Sequence, residues 1–441
     1  MLLCLNQTIH YKYSTTHYLT KHIFFCINPF IVLKINNVVD TKVFNIYKGC
    51  VCMSVFSNDE RVKILSDIVE IQSVNEKELD VAHYLQDLFN KYGIQTKIEK
   101  LEGENTRANL VAEIGNGKPV VGISGHMDVV TTGDENLWNY DPFKLTEDNQ
   151  GRLHGRGSAD MKSGLAALAI SLIEIKEAGT LNQGTIRFMA TAGEEVTSDG
   201  AALLHEKGYM DDVEALLIAE PSQDGIVYTH KGTMDIQVIS KGKSSHSSMP
   251  ELGYNAINPL VDFIHYLNKA YNKVDIKSEL LGTPTMNSTI ISGGDQVNSI
   301  PAYAESLFNM RTIPDYDNNK FEALFNSIKD QVNQESNADI TVNPYVNRDP
   351  VYTKGDNTFL KLAKSLGDSY FDRNLDVTSS TATTDASYLM KDKDESFSFV
   401  MYGPGETGQA HQVDEYVYKD AYLTFIDLYS QLLPQYLNTA K

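Results

Sequence analysis

Two histidines and five carboxylates stand in this sequence where a fold can bring them together. His126 and Asp128 lie in Ser124-Gly-His-Met-Asp, directly after the apolar run 120–124. Glu194 and Glu195 follow the run 185–191, Glu220 follows 215–219 in Ala-Glu-Pro, and His411 lies beyond Gly403-Pro-Gly, which follows 396–402. Asp160, in Gly155-Arg-Gly-Ser-Ala-Asp, immediately precedes a helical pattern that starts at Lys162. Ligands of open α/β sheets gather at the carboxyl ends of strands, so this spacing predicts one polar cleft on one sheet edge. Five carboxylates in one cleft repel one another unless cations sit among them. Imidazole with carboxylate and no thiolate suits Zn, Co or Mn at an open site. Of the adjacent glutamates, one can be held by metal while the other stays free as a base, and Asp128 can orient the His126 ring. Each signal alone has a blander reading: a satisfied structural histidine, a solvated acidic loop, an aspartate favoured by a helix dipole. All of them together on strand ends argue for a metal site.

The elements that must position these residues are legible in the periodicity. Apolar residues recur at helical spacing over 60–71, 79–92 and 162–178, the last two closed by Gly93 and Gly179. Strand-like runs at 95–100 and 109–114 join those already named, and their alternation with helices predicts an α/β fold with a mostly parallel sheet. The middle reads differently. Strand 233–240, helix 255–271, strands 286–292 and 302–311, helix 320–334 and strand 339–345 give a β-α-β-β-α-β order, that of a ferredoxin-like α+β domain. The expected organisation is a catalytic domain of residues 53–230 and 346–441, with residues 231–345 inserted as a lid.

Bulk properties narrow the function classes. A chain of 441 residues exceeds what one core usually holds. Its net charge of −20 sets it against nucleic acid, which would be repelled. The four cysteines, Cys4, Cys26, Cys50 and Cys52, all precede Met53, so the body has neither a disulfide framework nor a thiolate metal site, in keeping with a reducing, cytoplasmic compartment. Residues 1–52 differ from the rest, with five Lys against one Asp and no clear period. Their longest apolar stretch, 23–33, is too short to span a bilayer and contains Pro29, and nothing frames a signal peptide; no membrane partner is expected. Met53 then opens a segment in which Ser57 or Asn58 can cap a helix. The expectation is that Met53 is the native start and residues 1–52 an upstream read-through; the alternative is a genuine, poorly ordered extension.

The runs Ser124-Gly-His-Met-Asp-Val-Val, Gly155-Arg-Gly-Ser-Ala-Asp-Met-Lys, Thr191-Ala-Gly-Glu-Glu and Ala219-Glu-Pro-Ser resemble those of one metallopeptidase superfamily. It holds the succinyl-diaminopimelate desuccinylases, acetylornithine deacetylases, aminoacylases and carboxypeptidases G, and the resemblance runs from Met53 through the inserted segment to the end. It implies two divalent ions, Zn or Co or Mn, with His126 and Glu220 on one, Glu195 and His411 on the other, and Asp160 between them. Glu194 would be the general base and Asp128 the partner of His126. His246, in Gly242-Lys-Ser-Ser-His, would stabilise the oxyanion, often across a homodimer formed by the inserted domain. Asn298 and Arg311 resemble lid residues that grip a substrate carboxylate, a task suited to the arginine fork, and Thr383 is a weaker candidate.

The implied reaction is hydrolysis of a small N-acylated amino acid. The stretch from Gly125 to Trp138 most resembles the desuccinylase branch, whereas His230-Lys231-Gly232 and the segment 403–411 resemble the deacetylases. Lys231 can bind a succinyl carboxylate as a point charge, less selectively than an arginine. A dipeptidase of the same superfamily is a further alternative. A relative that keeps the fold only to bind ligands would lack the base or a metal ligand, and all of these are present here.

Overall fold

The computed structural model describes residues 44–47 and 50–439; the expectation for the first 52 residues falls largely outside these. The chain divides after Val55. Before that point the described backbone is a hairpin of Phe44–Tyr47 antiparallel to Cys50–Met53.

From Phe56 onward the first element is helix Asn58–Glu70. Ser57 caps it: the Ser57 hydroxyl accepts from the Glu60 amide, and the Glu60 carboxylate accepts from the Ser57 amide at 2.7 Å. This reciprocal pair satisfies two amides that the first helical turn leaves without partners. Helix Leu79–Lys91 follows and covers strand Ala108–Asn116.

The large sheet has eight strands in the order Asp376–Ser380, Gly225–His230, Ser398–Gly403, Val213–Pro221, Val120–His126, Gly184–Thr191, Ala108–Asn116, Thr96–Lys100. Its four central strands, Ser398–Gly403 to Gly184–Thr191, run parallel, and neighbours on both sides run against them. Every residue of Val120–His126 is buried, as a strand covered on both faces requires. Helices Lys162–Ala178 and Lys419–Thr439 cover one face. Ala201 and Leu204 of helix Asp199–Glu206, with Ala386 and Leu389 of the short helix Ala386–Leu389, pack on the other, against Met189, Leu216, Ile218 and Phe399. Helix Lys162–Ala178 lies so close to the sheet that a Cβ on Gly164 would overlap the Ala219 carbonyl, immediately before Glu220. Glycine there sets the height of Asp160, two residues before the helix, against Glu220.

A second sheet has its own core. Strands Thr285–Gly293, Tyr303–Thr312, Gly232–Lys241 and Asp339–Arg348 lie in that order, all antiparallel. Helices Ile257–Tyr271 and Asn318–Ser336 pack Phe263, Leu267, Phe321 and Phe325 onto Ile236, Val238, Phe308 and Met310. This is the ferredoxin-like order expected from the sequence. The chain enters the sheet beyond His230 and leaves it before Val351, and these two residues exchange hydrogen bonds at 3.0 and 3.1 Å.

Apart from the buried strand Gly225–His230, the strands that the periodicity missed are short or polar. Asp376–Ser380 reads Asp-Val-Thr-Ser-Ser and is largely exposed, and Arg152–His154 with Thr146–Glu147 and Tyr416–Tyr418 forms a three-stranded patch of two- and three-residue strands. Such runs are too brief to show a period.

Candidate metal centre

The parallel strands end together, and their ends carry the candidate residues. His126 pairs in register with Thr191, three residues before Glu194, and Ser124 pairs with Ile218, two before Glu220. The His126 Nε2 lies 3.1 Å from Asp160 Oδ1 and 3.8 Å from Glu220 Oε1. His411 Nε2 lies 3.0 Å from Glu195 Oε2 and 3.6 Å from Asp160 Oδ2. Asp160 thus presents one oxygen to each imidazole, and ligand atoms of His126, Asp160 and Glu195 all fall within 4.8 Å of one another. His411 is half exposed and has a left-handed backbone, φ 64°, a conformation held only where its surroundings demand it.

The electrostatics show what this cluster wants. Burial pushes Glu220 well above the ordinary carboxylate range, and neighbouring Asp160, Glu194 and Glu195 add to the effect that His126 opposes. Burial also opposes charge on His126, yet Glu220, Asp160 and Asp128 together drive its affinity for a proton well above that of a free imidazole. A site that pulls a proton onto a fully buried histidine is short of positive charge, and divalent cations meet that demand. Two imidazoles and three carboxylates, with no sulfur, form a donor set that fits such ions.

Residues behind the cluster fix its geometry. The His126 Nδ1 meets the backbone oxygen of Asp128 at 2.9 Å, which turns Nε2 towards Asp160 and Glu220. The Asp128 carboxylate, expected to orient this ring, lies 3.8 Å from it and instead accepts from the amides of Gly193, Glu194 and Glu195 at 2.9, 3.1 and 3.0 Å. Asp128 therefore shapes the turn that carries the two glutamates. Buried Glu415 does the same for Asp160, accepting from the amides of Gly157, Ala159 and Asp160 at 3.0, 2.8 and 3.0 Å and from Arg156 at 2.6 Å. Glu194 meets the Arg348 guanidinium at 2.9 Å, and its carboxyl is pushed up to about 8, by burial first, with Asp385 and Glu195 adding and Arg348 and His126 opposing. Glu415 and Arg348 were not singled out from the sequence; their partners lie far along the chain, and no local spacing marks them.

The remaining candidates fall into two groups. Lys231, Arg311 and Thr383 come together where the two sheets meet: Thr383 Oγ1 receives from Arg311 Nη1 at 3.3 Å and donates to the Lys231 carbonyl at 2.9 Å. Lys231 Nζ donates to the Thr283 carbonyl at 2.6 Å, and among the described residues neither cation has a carboxylate within ion-pair distance. Burial lowers the proton affinity of Lys231, and the charge of Arg311 adds to that. His246 and Asn298 lie together elsewhere, exposed, with the Ser247 amide on the Asn298 carbonyl at 3.0 Å and His246 Nδ1 2.8 Å from the Ser248 hydroxyl. Neither makes a hydrogen bond or ion pair with the cluster.

A parallel sheet with imidazoles and carboxylates converging on its carboxyl edge, and a base beside them, defines a metal-dependent hydrolase. The family model described as peptidase family M20/M25/M40 matches residues 122–435, and the chain belongs to that family. It is 42% identical over 410 residues to a "probable succinyl-diaminopimelate desuccinylase" of Staphylococcus aureus strain N315, a match covering 87% of this chain and 99% of the relative. It is 35% identical over 234 residues to an acetylornithine deacetylase of Pasteurella multocida, covering 52% and 60% of the two chains. Among solved structures, a dinuclear metal-binding peptidase from Bacillus subtilis has the same fold, with a TM-score of 0.63 at 18% identity over 87% of this chain and 99% of that one.

Proposed function

We propose that the chain cleaves the amide bond of an N-acylated amino acid that carries a second carboxylate on its acyl group, with N-succinyl-L,L-diaminopimelate as substrate and succinate and L,L-diaminopimelate as products. The observation that carries this reading is the buried Lys231 and the partly buried Arg311, which among the described residues have no carboxylate within ion-pair distance where the two sheets meet. Buried charge without a counter-charge is costly, so such a pair suits an anionic ligand. The S. aureus relative, aligned over nearly its whole length, supports the same substrate.

In this reading the chemistry belongs to residues 53–230 and to the chain beyond strand Asp339–Arg348, three residues past the expected boundary at 346, and the second sheet closes over it. His126 and Glu220 would hold one ion and Glu195 and His411 the other, with Asp160 between them. Two such ions, Zn or Co or Mn, would acidify a water and supply positive charge to the site. Glu194 takes the proton of the attacking water and passes it to the leaving amine as the C–N bond breaks. Arg311 and Lys231 grip substrate carboxylates, with Thr383 beside them; Asn298, which lies apart from them next to His246, reaches a substrate only with that histidine. His246, exposed in its own subunit, reaches the oxyanion of a second copy. That copy docks on strand Thr285–Gly293, an edge strand that leaves Ile290 and Ile291 more than half exposed. No described helix is long and apolar enough to cross a membrane; we place the enzyme in the cytoplasm.

The second reading, acetylornithine deacetylase, is favoured by His230-Lys231-Gly232 and by the P. multocida relative. A side-by-side assay of N-succinyl-L,L-diaminopimelate, N-acetylornithine and dipeptides on the metal-loaded protein separates the two. The expected result is the highest kcat/KM for the succinyl compound, loss of turnover on chelation, and recovery with Zn, Co or Mn. A preference for the acetyl compound or a dipeptide overturns the substrate, and turnover that survives full metal removal overturns the mechanism.

A further inference from the structure

Arg348 has no part in the scheme above, yet it holds the proposed base from the side opposite Asp128. It ends strand Asp339–Arg348, paired with Thr233, where the chain leaves the second sheet. Its side chain crosses to the main sheet. Nη1 donates to Glu194 Oε1 at 2.9 Å, while Nη2 donates to the backbone oxygens of Glu194 at 2.5 Å and Val196 at 3.0 Å. Both side chains are nearly buried, at 7% and 10% exposure. One planar fork therefore fixes the carboxylate and the backbone of the turn that carries it, a task the single ammonium of a lysine performs only in part. On the other side of that turn, Asp128 takes the amides of residues 193–195. The segment is clamped, with a carboxylate on its N–H groups and a guanidinium on its carbonyls.

We infer that Arg348 is a positioning residue for Glu194, and that it ties the alignment of Glu194 to the placement of the second sheet. The inference rests on Glu194 being the base. Its physical content is that a carboxylate must lie within hydrogen-bond reach of the proton it takes, so that a shift of about 1 Å costs about 100-fold in rate. Because Arg348 ends a strand of the second sheet, movement of that sheet relative to the first would draw the guanidinium away from Glu194.

The test uses Arg348→Ala, Arg348→Lys, Glu194→Gln and the double variant Arg348→Ala/Glu194→Gln, with three readouts: steady-state kinetics, bound metal, and melting of the metal-free protein. Arg348→Ala should lose about 100-fold in kcat with KM changed less than about threefold and metal content kept. Millimolar guanidinium should restore part of that rate, and Arg348→Lys should lie between parent and alanine variant. In the metal-free protein the melting losses of the two single variants should be non-additive, because the two side chains share one contact. A kcat near that of the parent, a raised KM at unchanged kcat, or additive melting losses each overturn the inference. Should Arg348→Ala not fold, the lysine variant decides: lowered kcat with metal retained supports the role, and parent-like kcat overturns it. Full activity in Glu194→Gln would remove the base reading itself, and the melting cycle still reports on the Arg348 contact independently.

Discussion

At the scale of single residues, Lys231 and Arg311 are not equivalent. Arg311 offers a planar fork, held by Thr383 from one side; Lys231 offers a point charge whose one described acceptor is a backbone carbonyl. If Arg311 grips the carboxylate common to amino-acid substrates, Arg311→Ala should lower kcat/KM for succinyl and acetyl compounds alike. The loss of a hydrogen bond to a charged group, about 1.5–3 kcal/mol, corresponds to a fall of roughly 10- to 150-fold. If Lys231 grips the acyl carboxylate, Lys231→Ala should lower kcat/KM for the succinyl compound and leave the acetyl compound within about threefold, since only the former offers that group. Parallel kinetics of both variants on both substrates check this, and equal losses for Lys231→Ala would remove its assigned role. The metal-site candidates were legible because each lies in a short motif, at or beyond a strand end for His126, Glu195, Glu220 and His411 and preceding a helix for Asp160. Glu415 and Arg348 were not, because their value lies in hydrogen bonds to residues about 255 and 154 positions away.

At the scale of elements, the long periodic helices and buried strands were read nearly to their ends: helix 162–178 matches Lys162–Ala178, and strand 120–124 extends by two residues to His126. Strand Gly225–His230 was not read, although its last residue matters. His230 is fully enclosed, with Nδ1 2.8 Å from the Lys231 carbonyl and Nε2 3.2 Å from the Thr384 hydroxyl. Burial lowers its pKa from 6.5 to about 4. The folded protein refuses this proton until about pH 4, whereas the unfolded chain takes it up near pH 6.5. The stability that neutral His230 contributes is therefore complete above pH 6.5 and drains away as the pH falls towards 4, by about 3 kcal/mol in all. Urea unfolding at pH 7.5 and 4.5 should show a larger loss for the parent protein than for His230→Gln, which has no proton to gain. Equal losses would mean that folding leaves the proton affinity of His230 unchanged.

At the scale of the whole molecule, the resemblance set His246 across a homodimer, but no local spacing placed Asn298 beside it and away from Arg311. His246 and Asn298 lie, exposed, in and beside a separate two-stranded pairing of Ser245–His246 with Ser299–Ile300, and the edge strand Thr285–Gly293 of the second sheet is almost entirely exposed. An edge of that length with outward Ile290 and Ile291 is a template for another strand, and a twofold axis there would present each subunit's turn to its partner. The consequence is testable by complementation. Homodimers of His246→Ala and of Glu194→Gln should each be nearly inactive. When the two are mixed under conditions that exchange subunits, half of the dimers become hybrids. Each hybrid has one site that pairs an intact Glu194 with the other chain's intact His246, and one site that lacks both. Recovery should therefore approach about one quarter of the parent rate, as expected for a twofold assembly with shared sites. Should His246 serve its own subunit, every site in every hybrid would contain one of the two lesions, and mixing would restore nothing. Adding Ile291→Lys to both chains should abolish the recovery and yield monomers in sedimentation, because a charge on the edge strand blocks pairing.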